Sequence, residues 1–103
     1  MKRGEVWWAQ LPRPLGRRPV ILLSRDEAYN IRLSITVAEI TTTIRNIPVE
    51  VKLAKEDSLP KNCVANLDTI ITIRKELLVE TICLLSPRKI EEINKAIKFA
   101  LSL

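Results

Sequence analysis

The chain contains no histidine. The commonest general base and the commonest metal ligand are therefore both missing, which excludes histidine-dependent ribonuclease chemistry, protease triads and His-based zinc sites. Cysteine is almost as scarce. Cys63 and Cys83 stand alone without a C-x-x-C partner, so a four-ligand zinc site is excluded, and no metal or cofactor is expected. Neither a signal peptide nor an 18-residue apolar run is present, so the expectation is a cytoplasmic protein with reduced thiols and no membrane association. Linkers, repeats and low-complexity stretches are absent as well, and 103 residues suffice for one domain, 1–103.

What the chain does have is aliphatic residues and positive charge. Ile, Leu and Val supply 34 of the 103 positions, and 47% hydrophobic with 28% charged residues is an ordinary globular composition. Folding a chain of this size buries roughly two-thirds of its unfolded surface, so a sizeable core is within reach. Seventeen Lys and Arg against 12 Asp and Glu leave a net charge of +5. A small basic domain suits an anionic partner such as nucleic acid, although the same excess also serves solubility.

The pattern is mostly one of short strands. Glu5 to Leu11 carries Val6, Trp7 and Trp8 in a loose alternation; adjacent indoles on a strand face opposite sides, so one belongs to the core and the other is left to stack or to fill a seam. Pro12 to Arg17 reads as a turn, and Pro19 to Leu23 as a core strand that Pro19, lacking an amide hydrogen, should start. Asp26 to Leu33 reads as a helical turn or compact loop. Ser34 to Thr43 and Val49 to Leu53 read as strands, Lys55 to Asn62 as a polar loop, Cys63 to Ile73 as one or two strands and Glu80 to Leu85 as the last. One helix closes the chain, from the N-cap Ser86 and Pro87 to about Ser102. Ile90, Ile93, Ile97, Ala100 and Leu101 form its apolar stripe, Glu91 is paired with Lys95, and Lys89, Lys95 and Lys98 form a solvated face. The expected fold is mainly β with a C-terminal helix, a compact SH3-like barrel.

Several segments in order resemble a known family. Arg3-Gly4-Glu5-Val6-Trp7-Trp8, Gly16 to Ser24 with its Arg18-Pro19-Val20, Asp26, Tyr29-Asn30, Thr41-Thr42-Thr43, Val49-Glu50-Val51 and Cys63 to Asp68 resemble the MazF/PemK-type toxins, endoribonuclease halves of type II toxin–antitoxin pairs. The resemblance implies a homodimer, metal-independent and sequence-selective cleavage of single-stranded RNA including mRNA, and a MazE-like antitoxin with an acidic, disordered tail. It puts the catalytic arginine on Arg18 and the catalytic threonine on Thr41, with Thr42 the alternative register in the threonine run. Arg17, Thr42, Tyr29, Asn30 and Arg13 are then candidate RNA contacts, with Tyr29 and Asn30 also readable as groups that fix their loop. The loop Leu11 to Arg17 is shorter and stiffer than is usual in the family, and Asp68-Thr69 stands where an Asp-Gln pair is usual.

The chemistry can proceed without histidine. RNA brings its own nucleophile, the 2′-hydroxyl, and the protein need only align it and stabilise the charge that grows on the nonbridging oxygens. Arg18 offers a planar fork of donors matched to phosphate, and a threonine hydroxyl can donate to a phosphoryl oxygen. The leading expectation is therefore an endoribonuclease giving a 2′,3′-cyclic phosphate and a 5′-hydroxyl. A CcdB-like, gyrase-poisoning toxin and a catalytically dead nucleic-acid-binding barrel are the alternatives.

Overall fold

Alternating polarity sends most of this chain into strands. The computed structural model describes all 103 residues. Its elements are β1 (Glu5–Leu11), β2 (Gly16–Leu22), α1 (Ala28–Ile31), β3 (Ser34–Thr41), β4 (Glu50–Leu53), β5 (Cys63–Arg74), β6 (Leu78–Leu84) and α2 (Pro87–Leu101), with 3-10 turns at Lys55–Asp57 and Lys75–Leu77. All six strands join one antiparallel sheet in the order β4-β5-β3-β2-β1-β6. The sheet curls into an open barrel, because its edge strands β4 and β6 do not pair with each other. Across the open seam, the Cys83 thiol of β6 donates to the Asp57 carbonyl just beyond β4, at 3.1 Å.

β5 runs as one strand of 12 residues. Its pairing with β3 jumps from Ala38↔Ile70 to Glu39↔Asn66, which leaves Leu67 to Thr69 as a bulge that bends the sheet. Each face of the curled sheet carries its own core. The concave side collects Val6, Ile21, Ala38, Ile40, Val51, Leu53, Ala65 and Leu67, covered by Ile93 and Ala96 of α2. The opposite side collects Ala9, Leu11, Val20, Leu22, Ile35, Val37 and Ile73, capped by Tyr29 of α1. Period-two alternation assigns neighbouring residues to different cores: Val20 and Ile21 are both fully buried, on opposite faces of one strand. Emptying either site by truncation to alanine would cost about 2–5 kcal/mol.

α2 begins as its sequence dictates. The Ser86 hydroxyl accepts the Lys89 amide at 3.2 Å, and Pro87 takes the first helical position. Gly4, at φ +93°, lets the chain enter β1: its amide donates to Leu22 O at 2.9 Å and its carbonyl accepts Leu85 N at 3.1 Å. Beside it Arg3 ties three elements together, with its amide on Asp26 Oδ1 (2.7 Å), Nε on Leu23 O (3.1 Å) and Nη2 on Asn94 Oδ1 (2.7 Å).

Four expectations are corrected. β2 starts at Gly16, not at Pro19, and Pro19 sits inside the strand. It is tolerated because this half of β2 pairs only with β1, so one side of the backbone has no ladder to donate to. Leu101 is 55% exposed and leaves the apolar stripe of α2, which ends with Ile97 and Ala100. Glu91 and Lys95 form no ion pair; the helix pairs Lys89 with Glu92 instead, at 3.8 Å. Lys89 is not simply solvated either: it is half-buried, and its ammonium donates to Lys52 O at 2.6 Å.

Candidate active site

The pairing of β2 with β3 consists of Leu22↔Val37, Ile21↔Ala38 and Val20↔Glu39, and then stops. Beyond that point the two strands splay. In the same register two residues further on, Arg18 falls opposite Thr41, so the two face each other across the mouth of the splay. A groove of about 330 Å³ opens there. Arg17, Arg18 and Pro19 of β2 line it with Ile40, Thr41 and Thr42; Trp8 of β1, Leu15, and the segment Leu59 to Lys61 with Cys63 complete the wall.

Each polar group in the groove has a defined attachment. Arg18 is half-buried and spends its Nε on Leu15 O at 3.1 Å, which leaves both terminal nitrogens free to face a ligand. Thr41 ends β3, and its Oγ1 accepts the Thr43 amide at 3.2 Å, a local turn that keeps the hydroxyl proton free to donate. Arg17 lies over the Trp8 indole, 5.0 Å from guanidinium carbon to ring centroid, and Nη2 bonds Glu80 Oε1 at 3.1 Å. No acidic side chain lines the groove, whereas Arg17, Arg18 and Lys61 all do. An anion with flat, stackable parts fits such a wall.

A larger depression of about 590 Å³ lies between β4 and the start of α2. Four acidic and three basic side chains line it together with Ser86, so the mixed wall favours neither an anion nor a cation. No cluster of three or more Cys, Asp or Glu side chains comes together in a metal-holding arrangement anywhere in the chain.

The other candidate residues lie elsewhere. Tyr29 is buried in the second core, its hydroxyl donating to Ser24 O at 2.9 Å. Burial, with the nearby Asp26 carboxylate adding to it, pushes its phenol up to about 12. Asn30 and Arg13 are exposed and line none of the groove. Cys63 and Cys83 are free thiols, pushed up by burial and then by Asp57. Of the two indoles, Trp7 packs against the second core with its Nε1 on Glu5 Oε1 at 3.0 Å, and Trp8 is the one left to the groove. Sequence reasoning missed Lys61 and Glu80. Lys61 sat in what reads as a plain polar loop, and Glu80 reaches Arg17 only because β1 pairs with both β2 and β6.

Over residues 2–101 the chain matches the family described as the PemK-like, MazF-like toxin of type II toxin-antitoxin systems. The chain belongs to this family. It is similar to the Probable endoribonuclease MazF5 of Mycobacterium tuberculosis, at 37% identity over 95% of this chain and 90% of the relative. It is 34% identical to the Endoribonuclease MazF of Staphylococcus saprophyticus, over 100% of this chain and 92% of that one. Among solved structures it resembles the Mycobacterium tuberculosis toxin MazF-mt6, with a TM-score of 0.89, 30% identity and coverage of 96% and 97% of the two chains. It also resembles an endoribonuclease from a mycobacterial species in complex with its cognate antitoxin, with a TM-score of 0.88, 28% identity and coverage of 100% and 96%. The open barrel with its closing helix is thus the fold of other PemK/MazF-like toxins.

Proposed function

We propose that this PemK/MazF-like chain is an endoribonuclease toxin that cleaves single-stranded RNA, mRNA included, and is neutralised by a cognate antitoxin. The observation that carries the reading is that Arg18 and Thr41 line one groove where the β2/β3 pairing has ended, with three cations and no acid on its wall. The substrate's 2′-hydroxyl loses its proton to water as its oxygen bonds to the adjacent phosphorus, and the P–O5′ bond breaks with the leaving 5′-oxygen taking a proton from water, giving a 2′,3′-cyclic phosphate and a 5′-hydroxyl. The two free Nη groups of Arg18 hold the nonbridging oxygens as charge accumulates on them, and the Thr41 hydroxyl donates to the same phosphate. Arg18 works here as a hydrogen-bond donor and not as a base. Arg17, Thr42 and Lys61 hold flanking phosphates. The relatives named as endoribonucleases favour RNA cleavage over gyrase poisoning.

The working particle is a homodimer acting in the cytoplasm. Phe99, Leu101 and Leu103, at 63%, 55% and 82% exposure, leave the end of α2 uncovered in a single copy, and two-fold pairing is the usual remedy. The antitoxin presents an acidic tail, disordered when free, whose carboxylates take the positions of phosphates at Arg17 and Arg18. The test is incubation of the purified protein with a synthetic single-stranded RNA in EDTA. Fragments ending in a cyclic phosphate, and no cut where the 2′-hydroxyl is replaced by hydrogen, are expected; intact RNA under all conditions would refute the reading.

A further inference from the structure

We propose that the cleft on the far side of Trp8 is a second nucleotide subsite, where a base flanking the scissile phosphodiester stacks on the indole and its phosphate meets Lys55. The inference rests on the RNA-cleaving reading of the groove and extends it. The cleft measures about 550 Å³ and is lined by Trp8, Lys55, Ser58, Leu59, Pro60 and Ile82. It is continuous with the groove, since Trp8, Leu59 and Pro60 line both. It lies in the open seam of the barrel, between Trp8 and Ile82 of the β1/β6 edge and the loop that follows β4.

Arg17 decides which face of the indole is available. The guanidinium lies over the ring, tethered by Glu80, and lines the groove but not the cleft. The groove side of Trp8 is therefore covered by a cation, and the cleft side stays bare. Leu59, Pro60 and Ile82 give the cleft an apolar floor suited to a flat, neutral ring. Lys55 is exposed and takes part in none of the chain's three ion pairs, so its ammonium is free for a phosphate. An indole face beside an unpaired cation, one step from a phosphate-binding groove, is the arrangement that holds single-stranded nucleic acid by stacking. In this scheme Glu80 is a positioning residue: it keeps Arg17 on the groove side and touches no substrate.

The experiment uses the full chain and an oligoribonucleotide with one cleavage site, carrying either a normal or an abasic nucleotide at each position flanking the scissile bond. At one of the two positions the abasic substitution should raise KM by about 5- to 150-fold for the unmodified protein, the loss expected from one base–aromatic stack. Trp8→Ala should raise KM by a similar factor on the normal substrate, Trp8→Phe should retain most of the affinity, and the abasic substitution should cost Trp8→Ala nothing further. Lys55→Gln should lower the slope of log affinity against log salt by about 0.7, the value for one phosphate contact on a single strand. Penalties for Trp8→Ala and the abasic substrate that multiply, with cleavage intact, would overturn the subsite and leave the parent reading standing. A change in sedimentation on Trp8→Phe without a change in KM would also overturn it, since the cleft would then be a seam between copies. The abasic comparison on the unmodified protein needs no variant to fold, and no cleavage of any oligonucleotide would defeat both readings.

Discussion

Replacing Arg18 by alanine separates catalysis from folding. The half-buried side chain makes one internal hydrogen bond, from Nε to Leu15 O at 3.1 Å, and that bond is open to solvent. Such a bond contributes about 1 kcal/mol net, so Arg18→Ala should lower the melting temperature by no more than about 4–8 °C. The catalytic loss should be far larger. Removing one preorganised donor from a developing oxyanion costs on the order of 10²–10³ in rate, and Arg18 has two terminal nitrogens free to face the phosphate, which argues for the upper end or beyond. Arg18→Lys should fall between: it keeps the charge but loses both the fork and the tether to Leu15. The assay is single-turnover cleavage of a fluorophore–quencher oligoribonucleotide, run beside a melting curve for each variant. An Arg18→Ala protein that melts normally and cleaves within tenfold of the unmodified rate would refute the assignment.

Thr41→Val should slow the same reaction on the order of tenfold, since a neutral donor is worth about half a charged one. Thr42→Val should instead weaken RNA binding with little effect on the rate at saturating RNA, and the reverse ranking in that rate would shift the register by one residue. Gly4→Ala should destabilise the fold by about 1–3 kcal/mol, measured by urea unfolding, because a Cβ at φ +93° would stand 2.6 Å from the Ile90 Cδ1 atom. Tyr29 sets a limit at high pH. Its folded value of about 12 lies above the ordinary 10, so the stability it contributes is complete below pH 10 and declines as pH rises to about 12. The comparison is melting temperature against pH for the unmodified chain and Tyr29→Phe, and parallel curves through that window would contradict the burial argument.

Strand positions were legible because period-two alternation is local, and the start of α2 because Ser86 and Pro87 announce it. The pairing partners were not. That β1 lies between β2 and β6, and that β5 bridges β3 and β4, follows from contacts distant in sequence. Pro19 misled for the same reason: a missing amide hydrogen matters only where a neighbouring strand waits for it, and β3 has already diverged. Leu101 matched the helical spacing, yet the sheet beneath α2 runs out before it. At the candidate site, Arg18 and Thr41 could be named from the resemblance, but not the groove between them, which opens because β2 and β3 form three residue pairs and no fourth. Tyr29 shows the converse: a polar aromatic in a loop-like segment became a buried cap because α1 turns it onto the second core.

The contacts of α2 bear on how the molecule comes into being. The concave core, which includes Ile40, Leu59 and Cys63 of the groove wall, is covered by Ile93 and Ala96, and Arg3 at the other end of the chain is held by Asn94. Residues 91 positions apart in sequence thus complete each other's packing. Domains assemble as units during synthesis, and pairings this distant form slowly. Without α2 in place, the core behind Arg18 and Thr41 has no cover. The walls of the groove and the far end of the chain are thus one cooperative unit, and loosening α2 should loosen the groove with it.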